Sequence, residues 1–357
     1  MLGMVHRTAQ LMFGVVTLSL LLFVSGAWAS PQPQHRRAPA RPRAAAKDVK
    51  SRTSLKLPCG DVLSFQVLLD RQGFSSGEID GMTGANFTHA LSAFQQARHL
   101  PTSGQPDCET WRAVGGDSAG SNANATGGNS AGPTTVSYTI TAEDVKGPFT
   151  KTIPKDLVAQ AALPALGYRS ALEKLGERFH ASPALLQRMN RGSQFAAGGV
   201  IQVPAVQPFD ADVKPKVDPS AMDITIQVSR DESSMRATHA DGTLAFFAPV
   251  TTGSEHDPLP AGEWKVTSVG WHPAFHYNPD LFWDAKATQT KATIKPGPNN
   301  PVGVVWIDLS LEHYGLHGTP EPGNVGHTES HGCVRLTNWD AARLVSLVKP
   351  GTPVLFR

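Results

Sequence analysis

The residue types best suited to chemistry lie in one segment near the C-terminal end of this 357-residue chain. It begins with Leu316-His317-Gly318-Thr319 and, after a turn rich in proline and glycine, ends with Ser330-His331-Gly332-Cys333-Val334-Arg335. A thiolate is a strong nucleophile, but a thiol with an ordinary pKa of about 8.5 is only slightly ionised at neutral pH, so a nearby imidazole must accept its proton. The segment therefore predicts Cys333 as a nucleophile and a histidine as its base.

Two histidines and a glycine accompany this thiol. His317 lies on a separate turn and is the predicted base. His331 lies two residues before Cys333, so in an extended segment both side chains point the same way; His331 would then orient the site or serve as a hydrogen-bonded structural histidine. The backbone N–H groups of Gly332 and Cys333 are expected to form an oxyanion hole, because a glycine lets a substrate carbonyl approach the backbone.

Two other interpretations stay open on the residues alone. A cysteine between glycine and valine is often a small buried apolar residue. Zinc is the second alternative, because four residues of the segment are zinc-ligand types: His317, His327, His331 and Cys333. Their spacing matches none of the usual ligand pairs, and no other cysteine is nearby in the sequence.

The segment resembles the signature of the L,D-transpeptidases, the YkuD-type catalytic domain, in which His-Gly is followed after a turn by Ser-His-Gly-Cys. Residues 259–264 resemble that family's Thr-Pro-x-Gly-x-aromatic segment, with Leu259 in place of threonine, and residues 296–303 resemble the segment before its central strand. Arg335 stands where many members have asparagine and resembles the branch common in Gram-negative bacteria. Four pieces in the family's order are far more specific than one motif.

The resemblance implies a cysteine-dependent acyltransferase without a cofactor or metal. Cys333 would attack the carbonyl of the diaminoacid at position three of a donor stem peptide and release the terminal D-Ala. The acyl group would pass to an amine of a second stem peptide, or of an envelope protein such as a lipoprotein. Carbapenem-type β-lactams, which resemble acyl donors, are expected to inhibit the enzyme.

Substrate contacts are expected from four residues of the signature: Gly318, Thr319, Ser330 and Arg335. The arginine would pair with a substrate carboxylate or with an acid of the protein itself. The motif does not choose the acceptor, and water instead of an amine would give an L,D-carboxypeptidase or an endopeptidase. A non-catalytic wall-binding protein is a third alternative, which the intact His317 and Cys333 disfavour.

The length and the net charge of the chain limit its number of domains and its class of partner. At 357 residues the chain is expected to form about two or three domains. The formal net charge of +2 gives no sign of a nucleic-acid partner. The resemblance instead implies peptidoglycan stem peptides and glycan chains as partners.

The N-terminal region has the composition of an export signal. In residues 1–29, His6 and Arg7 precede an apolar run, and Ala27-Trp28-Ala29 offers a small-x-small cleavage site. An uncleaved anchor is the alternative. We expect an exported, wall-associated protein, and the resemblance implies the periplasm of a Gram-negative bacterium. Residues 30–54, rich in proline, alanine and arginine, are expected to be a basic linker.

Residues 55–115 are predicted to form a small all-α domain of three helices. Apolar residues recur at helical spacing around Phe65 and around Leu91, and Asp107 is expected to cap the third helix. The unit resembles the three-helix peptidoglycan-binding domain. Cys59 and Cys108 bracket it, so in an oxidising compartment they are expected to form a disulfide worth roughly 4 kcal/mol, with two buried thiols as the alternative.

A Gly/Ser/Asn linker, residues 116–136, is expected to separate independent units. Residues 137–204 are predicted to form a small α+β domain in which two strands flank helices, and they resemble a LysM module, which binds glycan chains. This region departs from that family in the long stretch between Ile140 and Tyr168. A second linker, residues 205–222, follows.

Residues 223–357 are predicted to form the catalytic domain, which is mostly β with one substantial helix. Strands are expected over 224–228, 244–250, 304–309 and 354–356, and Asn338 is expected to cap the helix. The resemblance implies a β-sandwich with this one main helix. Its strands would present the His317 turn and the Cys333 turn to one cleft.

Overall fold

The computed structural model of the chain describes residues 57–118 and 132–357. The predicted signal segment, the basic linker and most of the Gly/Ser/Asn linker lie outside the described residues. Within the described ranges, no helix has both the length and the apolar character that crossing a membrane requires.

The first module, described over residues 57–118, is a helical bundle. Its helices are α1 (Val62–Arg71), α2 (Ala85–Ala97) and α3 (Cys108–Ala113). Asp61 caps α1, and Asp107 caps α3 as predicted, because each carboxylate accepts a backbone N–H of the first turn. Phe65 is fully buried in the bundle core. Cys59 and Cys108 form a disulfide across a sequence separation of 49 residues.

The second module, residues 135–204, pairs its first and last strands in an antiparallel two-stranded sheet. Its elements are β1 (Thr135–Thr139), α4 (Leu157–Ala161), α5 (Ala171–Arg178), α6 (Pro183–Met189) and β2 (Val200–Pro204). Ser182 caps α6, where Pro183 occupies the first turn. The short helix α4 lies in the long stretch for which the sequence predicts no element.

The third module, residues 223–357, is fully described and carries most of the strands. Its elements are β3 (Thr225–Ser229), β4 (Ser234–Thr238), β5 (Leu244–Pro249), β6 (Gly262–Trp271), β7 (Phe275–Tyr277), β8 (Ala292–Ile294), β9 (Val305–Leu309), β10 (Gly315–His317), β11 (Val334–Arg335), α7 (Asn338–Leu347) and β12 (Pro353–Phe356). Eight strands form one sheet in the order β11-β10-β9-β6-β12-β3-β4-β5, and β7 pairs with β8.

This single curled sheet differs from the expected sandwich. The ten-residue strand β6 pairs with β12 through residues 262–265 and with β9 through residues 266–271, with a register shift between Val266 and Ser268. One strand therefore belongs to both halves of the sheet, and the irregularity bends it between them. Helix α7 packs against the sheet and shares its apolar core, with Leu344 and Val345 buried.

The start of α7 also differs from the prediction. Thr337, not Asn338, caps the helix, and its hydroxyl accepts the backbone N–H of Asp340 at 3.1 Å. Asn338 is the first helical residue, and its side chain turns toward the loop before β9.

The three modules are not independent, contrary to the expectation for the linkers. The described residues from 57 onward belong to one compact unit. Phe247 of the third module is buried in the core of the first, and Val67 of the first module is buried in the core of the second. The third module thus completes the apolar core of the first, and the first module completes that of the second.

A buried polar cluster lies where the three modules meet. His180 of the second module lies 3.0 Å from the Asp70 carboxylate of the first, and its ring stacks on Trp339 of α7 at 5.2 Å between centroids. The hydroxyl of Ser75 donates to the Asp340 carboxylate at 2.9 Å. Burial, with the nearby charge of Asp70 adding to it, raises the pKa of Asp340 to about 6.

Asp340→Asn tests this cluster through pH. Because the folded protein holds the Asp340 proton more tightly than the unfolded chain does, the stability that Asp340 provides falls as pH rises from about 4 to about 6. The pKa difference corresponds to roughly 3 kcal/mol. We expect the variant to gain unfolding free energy relative to wild type over this window, as measured by urea denaturation at several pH values. A difference between the two proteins that does not change with pH would contradict the assignment.

Candidate active site

His317 ends β10 and is held from two sides. Its Nδ1 lies 2.6 Å from the carbonyl oxygen of Gly318, which can only accept, so in the neutral ring Nδ1 carries the proton and Nε2 is the acceptor. Trp306, opposite His317 on β9, stacks on the imidazole at 5.5 Å between ring centroids and 19° between planes. The imidazole is therefore buried, with its orientation and tautomer fixed.

Cys333 immediately precedes β11, the neighbour of β10. The two strands run parallel with His317 opposite Arg335, so the side chains of this pair point to the same face of the sheet. The sulfur lies against the start of β10: it is 3.6 Å from the carbonyl oxygen of His313 and takes a backbone hydrogen bond at Gly315. The register thus brings the thiol, the imidazole and the guanidinium to one end of the sheet.

Burial keeps the Cys333 thiol and the His317 imidazole neutral in the resting site. Burial, with the charge of Arg335 adding to it, lowers the pKa of His317 to about 3, while the hydrogen bond with Gly318 acts in the opposite direction. Burial raises the pKa of the Cys333 thiol, although the backbone of Gly315 and the charge of Arg335 act against it. At neutral pH the site therefore holds a thiol and a neutral imidazole rather than an ion pair.

Gly332 and Ser330 shape the bend before the sulfur. Gly332 has a φ of +103°, and a β-carbon there would lie 3.0 Å from the ring of Tyr314. The Ser330 hydroxyl donates to the carbonyl oxygen of Cys333 at 2.6 Å. Ser330 is buried and fixes the loop that carries Cys333.

The side chain of His331 is directed to a different loop. Its Nε2 lies 2.8 Å from the Asp284 carboxylate, and its ring lies 4.8 Å from that of Phe282. The expectation that His331 and Cys333 point the same way assumed an extended segment, but the chain bends at Gly332. His331 therefore links the loop that carries Cys333 to the loop that contains Asp284.

Two of the four expected substrate contacts line a cavity. Thr319 and Arg335 border an open cavity of about 310 Å³, together with Thr251 and other residues. No residue in the described part of the chain forms a hydrogen bond or an ion pair with the Arg335 guanidinium. Gly318 instead packs on Asn338, and a β-carbon there would collide with the amide oxygen.

Several contributors are not evident from the sequence. Tyr314 and Trp306 lie close to the motif in the chain, and their aromatic rings are the signal that could have drawn attention to them. Nothing local marks Asp284, because its contact with His331 spans 47 residues. As to the zinc alternative, no group of three or more His, Cys, Asp or Glu residues suited to a metal ion occurs among residues 57–118 and 132–357.

Comparison with known proteins agrees with the motif at the level of domains. Residues 223–355 match the family model of the L,D-transpeptidase catalytic domain, YkuD. Residues 60–114 match the model of a putative peptidoglycan binding domain. The chain therefore carries a catalytic domain of the L,D-transpeptidase type and a domain of the peptidoglycan-binding type, which confirms both interpretations at this level. The LysM-like interpretation of residues 137–204 stays a prediction.

Individual relatives overlap with the chain to different extents. A putative L,D-transpeptidase YkuD of Bacillus licheniformis is 26% identical over 186 residues, which are 51% of this chain and 91% of the relative. A putative L,D-transpeptidase YkuD of Bacillus subtilis is 46% identical over 57 residues, 16% of this chain and 35% of the relative. L,D-transpeptidase 3 from Mycobacterium tuberculosis, a solved structure, is 16% identical with a TM-score of 0.32, over 45% of this chain and 75% of its own.

Gly332→Ala is expected to disturb the loop that carries Cys333, and Gly351→Ala is its matched control. Both glycines have positive φ, so either alanine costs about 1 kcal/mol of stability. Only at position 332 does the new methyl group meet a neighbour, Tyr314. We expect a larger loss of unfolding free energy for Gly332→Ala, together with a changed alkylation rate of Cys333. Equal losses with unchanged alkylation would refute this account of the loop.

Arg335→Gln is expected to raise two pKa values at once. The Arg335 charge lowers the pKa of His317 and that of Cys333, so its removal raises both. NMR titration of the His317 ring and the pH dependence of Cys333 alkylation measure the two effects. Arg357→Gln, at the exposed end of the chain, serves as the control. If His317 titrated identically in the wild type and in Arg335→Gln, the electrostatic coupling would be wrong.

Proposed function

We propose that this protein is a peptidoglycan L,D-transpeptidase with Cys333 as its nucleophile and His317 as its base. The observation that carries the proposal is the register of β10 and β11, which brings the Cys333 thiol and a tautomer-fixed imidazole to one end of the sheet, beside a cavity. The match of residues 223–355 to the L,D-transpeptidase catalytic domain supports the reaction class.

The first half-reaction acylates the enzyme. As the sulfur attacks the carbonyl carbon of the donor's third residue, Nε2 of His317 accepts the thiol proton and a C–S bond forms. Collapse of the tetrahedral intermediate breaks the C–N bond to the terminal D-Ala, whose amine leaves with the proton from His317. The product is a thioester on Cys333.

The second half-reaction restores the enzyme. An amine of a second stem peptide, or of an envelope protein such as a lipoprotein, attacks the thioester and gives its proton to His317. The C–S bond then breaks, and the sulfur takes the proton back. The net exchange of one amide for another consumes no cofactor.

Because the pKa of His317 is low, the imidazole needs a compensating negative charge to accept a proton during acylation. The imidazolium is disfavoured in the resting site by burial and by Arg335. Negative charge that develops on the substrate carbonyl oxygen offsets both effects, so the base becomes stronger as the reaction proceeds. The backbone N–H groups of Gly332 and Cys333 hold this oxyanion, a stabilisation of about 3 kcal/mol per donor in other enzymes.

The remaining residues of the proposed site bind the substrate or position the catalytic residues. Thr319 and Arg335 contact the substrate from the wall of the cavity, and Arg335 pairs with a carboxylate. His331 orients the nucleophile loop through Asp284. We further propose that the first module binds peptidoglycan, that residues 137–204 are a LysM-like module for glycan chains, and that the protein is exported to the periplasm of a Gram-negative bacterium.

Substitution of Cys333 and His317 tests the mechanism. Cys333→Ala should abolish turnover of a tetrapeptide donor with an amine acceptor, and His317→Ala should lower it on the order of 10²-fold or more. Circular dichroism should show a retained fold in both. A carbapenem, an activated acyl donor, should add a covalent mass to the wild type but not to Cys333→Ala.

Other outcomes would overturn the proposal or identify a different acceptor. Full activity in Cys333→Ala would overturn the proposal, as would activity that EDTA removes and zinc restores. If the wild type released D-Ala but formed no cross-linked product with any amine, water would be the acceptor, and the protein would be an L,D-carboxypeptidase.

A further inference from the structure

The long stretch of the second module between Ile140 and Tyr168 docks on the catalytic domain. Helix α4 packs beside β8. The Asp156 carboxylate caps α4 and also accepts the side-chain amide of Gln289 at 2.8 Å. Farther along, the carbonyl oxygen of Leu166 accepts the backbone N–H of Asn299 at 2.9 Å. Polar contacts at two points in the second half of this stretch therefore fix it against the third module.

This docking brings Lys155 to the cavity that Thr319 and Arg335 border. Lys155 directly precedes the anchored Asp156 and lines the same cavity as Thr319 and Arg335. Its side chain is exposed, and nothing in the described ranges forms a hydrogen bond or an ion pair with its ammonium group. The second module thus contributes Lys155 and Leu157 to the wall of a cavity whose other lining residues belong to the third module.

The cavity carries two cations that form no hydrogen bond or ion pair with the described residues, although the charge of Glu321 acts on Arg335. Lys155 and Arg335 are the basic lining residues, and Glu321 is the acidic one. The Glu321 carboxylate is exposed and already accepts the side-chain amide of Asn324. A partly desolvated guanidinium and a nearby ammonium favour an anionic group between them.

We infer that Lys155 and Arg335 together bind a carboxylate of the peptide donor, and that Lys155 is a specificity-determining residue supplied by the second module. The inference rests on the proposed function for the identity of the donor. Lys155 acts on binding rather than on the reacting atoms, so it discriminates a donor with a free carboxylate from its carboxamide.

Binding to the full chain with Cys333→Ala tests the inference without turnover. The probes are a synthetic tetrapeptide donor with a free side-chain carboxylate on its third residue and the same peptide with that carboxylate amidated. Lys155→Ala should raise the Kd of the carboxylate peptide about 5-fold, the upper range for one exposed charge pair, and leave the amidated peptide unchanged. Lys155→Arg should retain most of the affinity, and Lys155→Glu should lose more than Lys155→Ala.

Lys151→Ala is the matched control, because Lys151 is an exposed lysine of the same stretch that does not line the cavity. It should change neither Kd. In the Cys333 protein, Lys155→Ala should raise KM for the carboxylate donor and leave kcat unchanged.

Equal losses for both peptides, or none for either, would overturn the carboxylate site while leaving the proposed function intact. Selective binding without any turnover by the Cys333 protein would instead support the site and refute the proposed function.

Discussion

The side-chain amide of Asn338 is the contact on which the arrangement of the active site depends. Its Oδ1 accepts the backbone N–H of Val304 at 3.1 Å, and its Nδ2 donates to Glu177 of the second module at 2.6 Å. A β-carbon at Gly318 would collide with the same amide, so the backbone that carries the His317 hydrogen bond must pass directly over it. One buried amide thereby joins the start of α7, the loop before β9, the backbone next to His317 and the second module.

The sequence could predict what depends on local chemistry. His317 and Cys333 stand in one short motif, and capping by Asp107 follows from side-chain chemistry within one turn. Asn338 shows the limit. The prediction took Asn338 as the cap of the helix, but Thr337 caps it, because the asparagine oxygen instead accepts the backbone N–H of Val304, 34 residues away. The contributions of Asp284 and Lys155 are harder still to predict, because only the folded chain brings these residues near the site.

Contacts between residues far apart in the sequence produce both the curled sheet and the packing of the modules against one another. Strand β6 is not among the predicted strands; it is one continuous segment that pairs with different partners along its two halves, which no local pattern reveals. Phe247 likewise looks like a core residue of the catalytic domain, but it is buried in the first module. Linker composition indicated where modules divide, whereas the apolar side chains determined that they pack together.

The pairing of Cys59 with Cys108 has a practical consequence for work with this protein. The chain contains three cysteines, and the disulfide consumes two of them, so the oxidised protein has a single thiol at Cys333. Any reagent that reports free thiols therefore counts Cys333, the proposed nucleophile, alone. The ratio of thiol to protein in a purified sample measures directly the fraction of molecules whose Cys333 is unmodified, without substrate and without knowledge of the acceptor.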